Sequence, residues 1–118
     1  MTLRSLAEAD RFVDAFCTER ALGDARCYKV RLVVEELVSN LFKYTEAREF
    51  DLDIGGNESV EITLSYASER LELPTDFSPD RPLEKREEGG VGLYLVRTVS
   101  RNFRYEYRDG RSVYRVTV

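Results

Sequence analysis

Residues 30–44 read VRLVVEELVSNLFKY, and the reading of this stretch decides the fold. Val30, Val33, Val34, Leu37, Val38, Leu41 and Phe42 recur at three and four residues, the spacing of one continuous helix from about Ala25 to Tyr44. They cover most of the helix circumference. A helix apolar on so many sides is buried, with a sheet against one side and another element against the other. One polar stripe interrupts it, made by Glu36, Asn40 and Lys43 at spacings of four and three. Polar groups on a mostly buried helix need partners, so the stripe either faces a ligand or runs along a solvent edge.

Upstream, Ser5 and Glu8 have capping-box spacing, and Leu6, Ala9, Phe12, Val13, Phe16 and Cys17 continue as a first helix to about Arg20. Gly23 breaks it and Asp24 can cap the next helix. Met1 to Arg4 is too short to assign as a strand. Downstream, Thr45 to Asn57 is charged, ends in Gly55-Gly56-Asn57 and reads as loop. Ser59 to Tyr66 alternates as a strand, and Arg70 to Leu73 reads as a short second one. Pro74 to Glu88 is a long loop. Gly89 to Gly92 opens a third helix, Leu93 to Ser100. Phe103 to Arg108 and Ser112 to Val118 form a hairpin across Asp109-Gly110, a strong turn signal. Runs of strands joined by hairpins between helices predict an α+β two-layer sandwich: a mostly antiparallel sheet with three helices on one face.

The 118 residues fit one domain, 1–118, without repeats. Net charge is −4 with basic residues scattered, which argues against nucleic acid as a direct partner. Absence of an apolar run near ~18 residues argues against a membrane span, and Met1 to Glu8 lacks a signal-peptide layout, so a cytoplasmic location is expected. The chain has no histidine, which removes the Ser-His-Asp and Cys-His triads. Cys17 and Cys27 fall inside helices and are expected as buried thiols.

Two groups of residues could carry chemistry. On the Glu36, Asn40, Lys43 stripe, the asparagine carbonyl suits magnesium, the glutamate could accept a proton, and the lysine could meet phosphate charge. Glu88-Gly89-Gly90-Val91-Gly92-Leu93 lets the backbone approach a ligand at a helix start that favours anions. The same residues would also serve as a plain loop-to-helix turn. No Gly-Lys-Ser/Thr follows, so this is not a Walker motif.

In order and spacing these pieces resemble the Bergerat fold, the histidine-kinase-like ATP-binding domain of gyrase, the heat-shock chaperone, histidine kinases and the mismatch-repair ATPase. Within it they look most like the anti-sigma factor serine/threonine kinases. VRLVVEELVSNLFKY resembles that family's N box, GGVGLYLVR its second glycine box, and RNFRYEYRDGRSVYRVTV its closing hairpin. The resemblance implies binding of ATP with Mg2+. It implies Glu36 as catalytic base, Asn40 as metal ligand, and Asn40, Lys43, Glu72, Phe77, Gly90, Gly92 and Leu93 as nucleotide contacts. It also implies a sigma factor and an antagonist protein as partners, phosphorylation of a serine on the antagonist, and a homodimer. One motif departs. The family carries Asp-x-Gly-x-x-Phe at the end of the central strand; aligned on Phe77, this chain has Glu72 and Pro74 in place of the aspartate and glycine. Glutamate reaches about 1.5 Å further, and proline lacks a backbone donor. The departure leaves open a second reading, a catalytically silent protein-binding regulator on the same fold.

Overall fold

The computed structural model describes residues 1–56, 58–68 and 95–118. Its elements are β1 (Thr2–Leu3), α1 (Leu6–Glu19), α2 (Asp24–Tyr44), β2 (Phe50–Gly55), β3 (Glu61–Ala67), a helical segment α3 (95–99), β4 (Asn102–Arg108) and β5 (Arg111–Thr117). The architecture is the expected α+β one: a fully antiparallel five-stranded sheet in the order β1-β2-β3-β5-β4, with the helices on one face.

Strand period explains which face is covered. Leu3, Phe50, Leu52, Ile54, Ile62, Leu64, Tyr66, Tyr114 and Val116 all point to one side and are buried. They pack with Ala9, Val13 and Phe16 of α1, with Val30, Val33, Val34, Leu37, Val38 and Leu41 of α2, and with Val96 of α3 in one core. Each fully buried side chain of this size contributes about 1.5–3 kcal/mol by leaving water. The opposite face stays polar. Asp51 and Ser65 accept from Arg111, and Glu106 pairs with Arg115 at 3.8 Å. None of the described helices is long and apolar enough to cross a membrane.

The helix ends show how the α1–α2 hairpin is built. Ser5 Oγ accepts from the Glu8 amide at 3.1 Å, as capping-box spacing predicts, while Glu8 reaches back to the Arg4 amide at 2.7 Å. At the far end α1 stops in a Schellman arrangement: the Ala21 amide donates to Thr18 and the Leu22 amide to the Cys17 carbonyl. Ala21 adopts φ +51°, a left-handed conformation that costs a non-glycine residue about 1–2 kcal/mol. Gly23, rather than Asp24, is the N-cap of α2, and it offers no side-chain cap to the first amides.

Three expectations are corrected. Residues 50–55, read as loop, form strand β2: Phe50, Leu52 and Ile54 face the core while Asp51 and Asp53 face out. The alternation was present in the sequence but was masked by the charges on the outward positions. Thr2–Leu3, too short to assign alone, is a strand because β2 supplies an edge for it. Cys17 and Cys27 are not thiols but a disulfide with Cα atoms 5.9 Å apart, because the tight turn brings the last turns of α1 over the first turn of α2. Closing a loop of this length contributes about 3 kcal/mol in the loop-entropy account.

β3 lies where the sequence places it. Both of its edges are taken, by β2 on one side and β5 on the other. The second strand expected at Arg70 to Leu73 lies outside the described residues.

Candidate functional site

Helical geometry puts Glu36, Asn40 and Lys43 on one face of α2, beside the core positions Leu37 and Leu41. Glu36 and Asn40 are half-buried and Lys43 is exposed, so the stripe runs from the protein interior outward. Lys43 Nζ stands 5.7 Å over the Tyr44 ring. Among the described residues, the buried Asn40 Nδ2 atom has no hydrogen-bond partner. Leaving such a group unsatisfied costs about 1–3 kcal/mol, and native proteins do so rarely. A buried oxygen of Asp10, outside the stripe, is in the same position.

The neighbouring Glu35 has a different surrounding. It faces Asp10 of α1, which lies one turn from Asp14, and Arg31 bridges this cluster. Arg31 pairs with Asp14 and stands 4.0 Å from Asp10. Burial pushes the Glu35 carboxyl above its ordinary range; the hydrogen bond to Asp10 and that residue's charge push the same way, as does Glu36, while Arg31 opposes. Of the adjacent glutamates, Glu35 is therefore engaged at the helix interface, and Glu36 is the carboxylate of the Asn40 face. Sequence reasoning missed this cluster. Its signal was a pair of i, i+4 polar positions, Asp10 with Asp14 and Arg31 with Glu35, on faces that otherwise pack.

The cluster has a pH signature. A raised carboxyl keeps its proton in the folded chain to a higher pH than in the unfolded chain. The stability it contributes is full at acid pH and is lost as pH rises through the folded-state value. Glu35→Gln, which imitates the protonated form, should match the parent near about pH 4 and exceed it by up to about 1 kcal/mol near neutrality. Urea denaturation at both pH values measures the difference; a gain that is larger in acid would contradict the assignment.

A second polar assembly lies at the end of β3. Tyr66 stacks on Tyr114 with centroids 6.4 Å apart, and Tyr105 lies 4.9 Å from Tyr114. Buried Ser112 exchanges hydrogen bonds with Ser68 at 2.7 Å and Tyr105 at 3.0 Å. The Tyr107 hydroxyl donates to the Ser68 carbonyl at 3.2 Å. Burial holds the Tyr66 and Tyr114 phenols above their ordinary range, so both stay neutral donors.

The predicted site residues divide accordingly. Glu36, Asn40 and Lys43 come together on one helix face. Glu72, Pro74, Phe77, Gly90, Gly92 and Leu93 lie outside the described residues. Two surface grooves, one bordered by Thr2, Phe50, Asp51 and Arg111 and the other by Arg97, Arg101 and Phe103, are lined by other residues than the stripe. Among the described residues no group of three or more acidic or cysteine side chains is placed to hold a metal.

No curated protein matches the chain closely enough to count as a relative. The description of one family, the histidine kinase-like ATPase domain, fits residues 1–118, all of the sequence. With an antiparallel sheet, a buried helix bearing the glutamate–asparagine stripe and a match over the whole sequence, the chain belongs to the histidine kinase-like ATPase domain family.

Proposed function

We propose that the chain is a regulator of the anti-sigma kinase type, which binds Mg-ATP and phosphorylates a serine on an antagonist protein. It would hold a sigma factor inactive until that antagonist binds, and would act as a homodimer. The observation that carries this reading is the orphaned Asn40 amide on a half-buried helix face it shares with Glu36 and Lys43. The two ends of an asparagine amide exchange by rotation about one bond, so the same side chain can present its oxygen to a cation. Glu36, one turn away, would take the proton of the acceptor hydroxyl. Lys43, at the exposed end, would offset phosphate charge. Mg-ATP, when bound, would supply the phosphoryl group and the cation that spreads its charge. In the expected pocket, Glu72 and Phe77 would border the base, and the amides around Gly90, Gly92 and Leu93 the phosphates.

A second reading has its own support. The motif that the family carries at the end of its central strand is altered here, with Glu72 and Pro74 in place of its aspartate and glycine. A chain with that end would bind its protein partners without turning over nucleotide. Calorimetry separates the two. Asn40→Ala should weaken Mg-ATP by about tenfold, the value of one hydrogen bond to a charged group, and change metal-free ATP much less. Equal losses with and without magnesium would remove the metal role. Failure of the parent protein to bind either form would establish the silent regulator.

A further inference from the structure

The Cys17–Cys27 bond joins α1 to α2 away from the Glu36, Asn40, Lys43 stripe in sequence, and its two ends are unequal. Cys17, in the last turns of α1, is 8 % exposed and sealed in the core. Cys27 is half-buried at the rim of that core, in the first turn of α2. Its amide makes an opening hydrogen bond of that helix, to the Gly23 carbonyl at 2.9 Å. Gly23 has no side chain to cap the free amides there, so a thiolate on Cys27 would sit at the positive end of a long helix. The turn that the bond spans is weak on its own: Ala21 holds a left-handed conformation, and α2 starts without a side-chain cap.

We propose that Cys17 and Cys27 form a reversible thiol–disulfide exchange site for low-molecular-weight disulfides, with Cys27 the attacking sulfur and Cys17 the resolving one. The chemistry balances as a two-electron exchange. The Cys27 thiolate attacks one sulfur of glutathione disulfide, breaks its S–S bond and expels one glutathione thiolate. The Cys17 thiolate then attacks Cys27 Sγ in the mixed disulfide and expels the second. Two protein thiols are oxidised, one disulfide is reduced to two glutathione molecules, and the two thiol protons end on those products. Exposure sets the order of attack, because Cys27 is the more exposed of the two sulfurs. The bond in turn sets the order of the α1–α2 turn. When it is reduced, the turn loses its one covalent tie and rests on its backbone hydrogen bonds, the packing of Leu22 and the left-handed Ala21, and the trypsin sites after Arg20 and Arg26 become more open to cleavage.

The test uses the full chain equilibrated in mixtures of oxidised and reduced glutathione, quenched by alkylation and read by intact mass. The parent protein should pass from reduced to oxidised as the proportion of glutathione disulfide rises. Cys17→Ser should hold a single glutathione adduct on Cys27, and Cys27→Ser should acquire one at least about tenfold more slowly. Trypsin should cut the reduced parent between the two cysteines faster than the oxidised parent, as judged by mass after full reduction. A parent that stays fully oxidised, or fully reduced, across all mixtures would overturn the exchange site. Equal labelling of the two serine variants would overturn the division of roles, and equal trypsin rates would overturn the control of the turn. The experiment contains no nucleotide, so its outcome is independent of the kinase reading.

Discussion

Leu64→Ala should lower the unfolding free energy by about 3 kcal/mol, the middle of the range for a buried leucine whose cavity cannot collapse. Leu64 is fully buried in β3, the middle strand, with Leu52 and Tyr114 opposite it on the two flanking strands. Three strands and α2 meet there, so no loose segment can move in to fill the space. Domains of this size are stable by about 5–15 kcal/mol, so one methyl cluster carries a large share. Equilibrium urea denaturation followed by circular dichroism measures it as a lower midpoint with an unchanged slope. A loss under about 1 kcal/mol would mean that α2 does not pack on the middle of the sheet as described.

Gly56→Ala should cost a similar amount, about 3 kcal/mol, for a reason unrelated to hydrophobic burial. Gly56 has φ +101°, a conformation that L side chains rarely adopt. A Cβ there would collide with the Ser59 carbonyl oxygen and lie 3.2 Å from its carbon. The obstacle is backbone, so no side-chain rotation relieves it. Gly55 supplies the control: a Cβ at that position meets nothing within 4 Å. Gly55→Ala should change stability by less than about 1 kcal/mol, and by removing freedom from the unfolded chain should favour the fold if anything. Similar denaturation midpoints for the two variants would remove the steric account of the β2–β3 turn.

The sequence revealed most where period and burial agree. The apolar spacing of Val30 to Phe42 predicts a buried helix, and α2 is one. The Asp109-Gly110 signal predicts the β4–β5 hairpin, and Asp109 and Gly110 both take positive φ there. Strand β2 was hidden because Asp51 and Asp53 made a half-buried strand look like a charged loop. The disulfide was hidden because spacing in sequence does not report the handedness of a turn. Gly23 suggested where α1 breaks, yet the left-handed residue is Ala21, and that choice aims Cys17 at Cys27. The stripe was legible because helical spacing alone places Glu36, Asn40 and Lys43 on one face of α2. The engagement of Glu35 with Asp10 depends on the docking of α1, which helical spacing within α2 does not report.

The middle of the sheet joins strands far apart along the chain. β3 pairs with β5, matching Leu64 to Tyr114 and Glu61 to Thr117, and β5 then separates β3 from β4. On a ribosome, β2 and β3 can pair while the remainder is still being made, but the second edge of β3 stays open until residues 111–117 have left the exit tunnel. During that interval Ile62, Leu64 and Tyr66 lie on a strand with a row of free amides and carbonyls, a template for neighbouring nascent chains. Slow translation of the codons between β3 and β5 would lengthen that exposure, so the pace of synthesis over that stretch bears on the yield of folded chain.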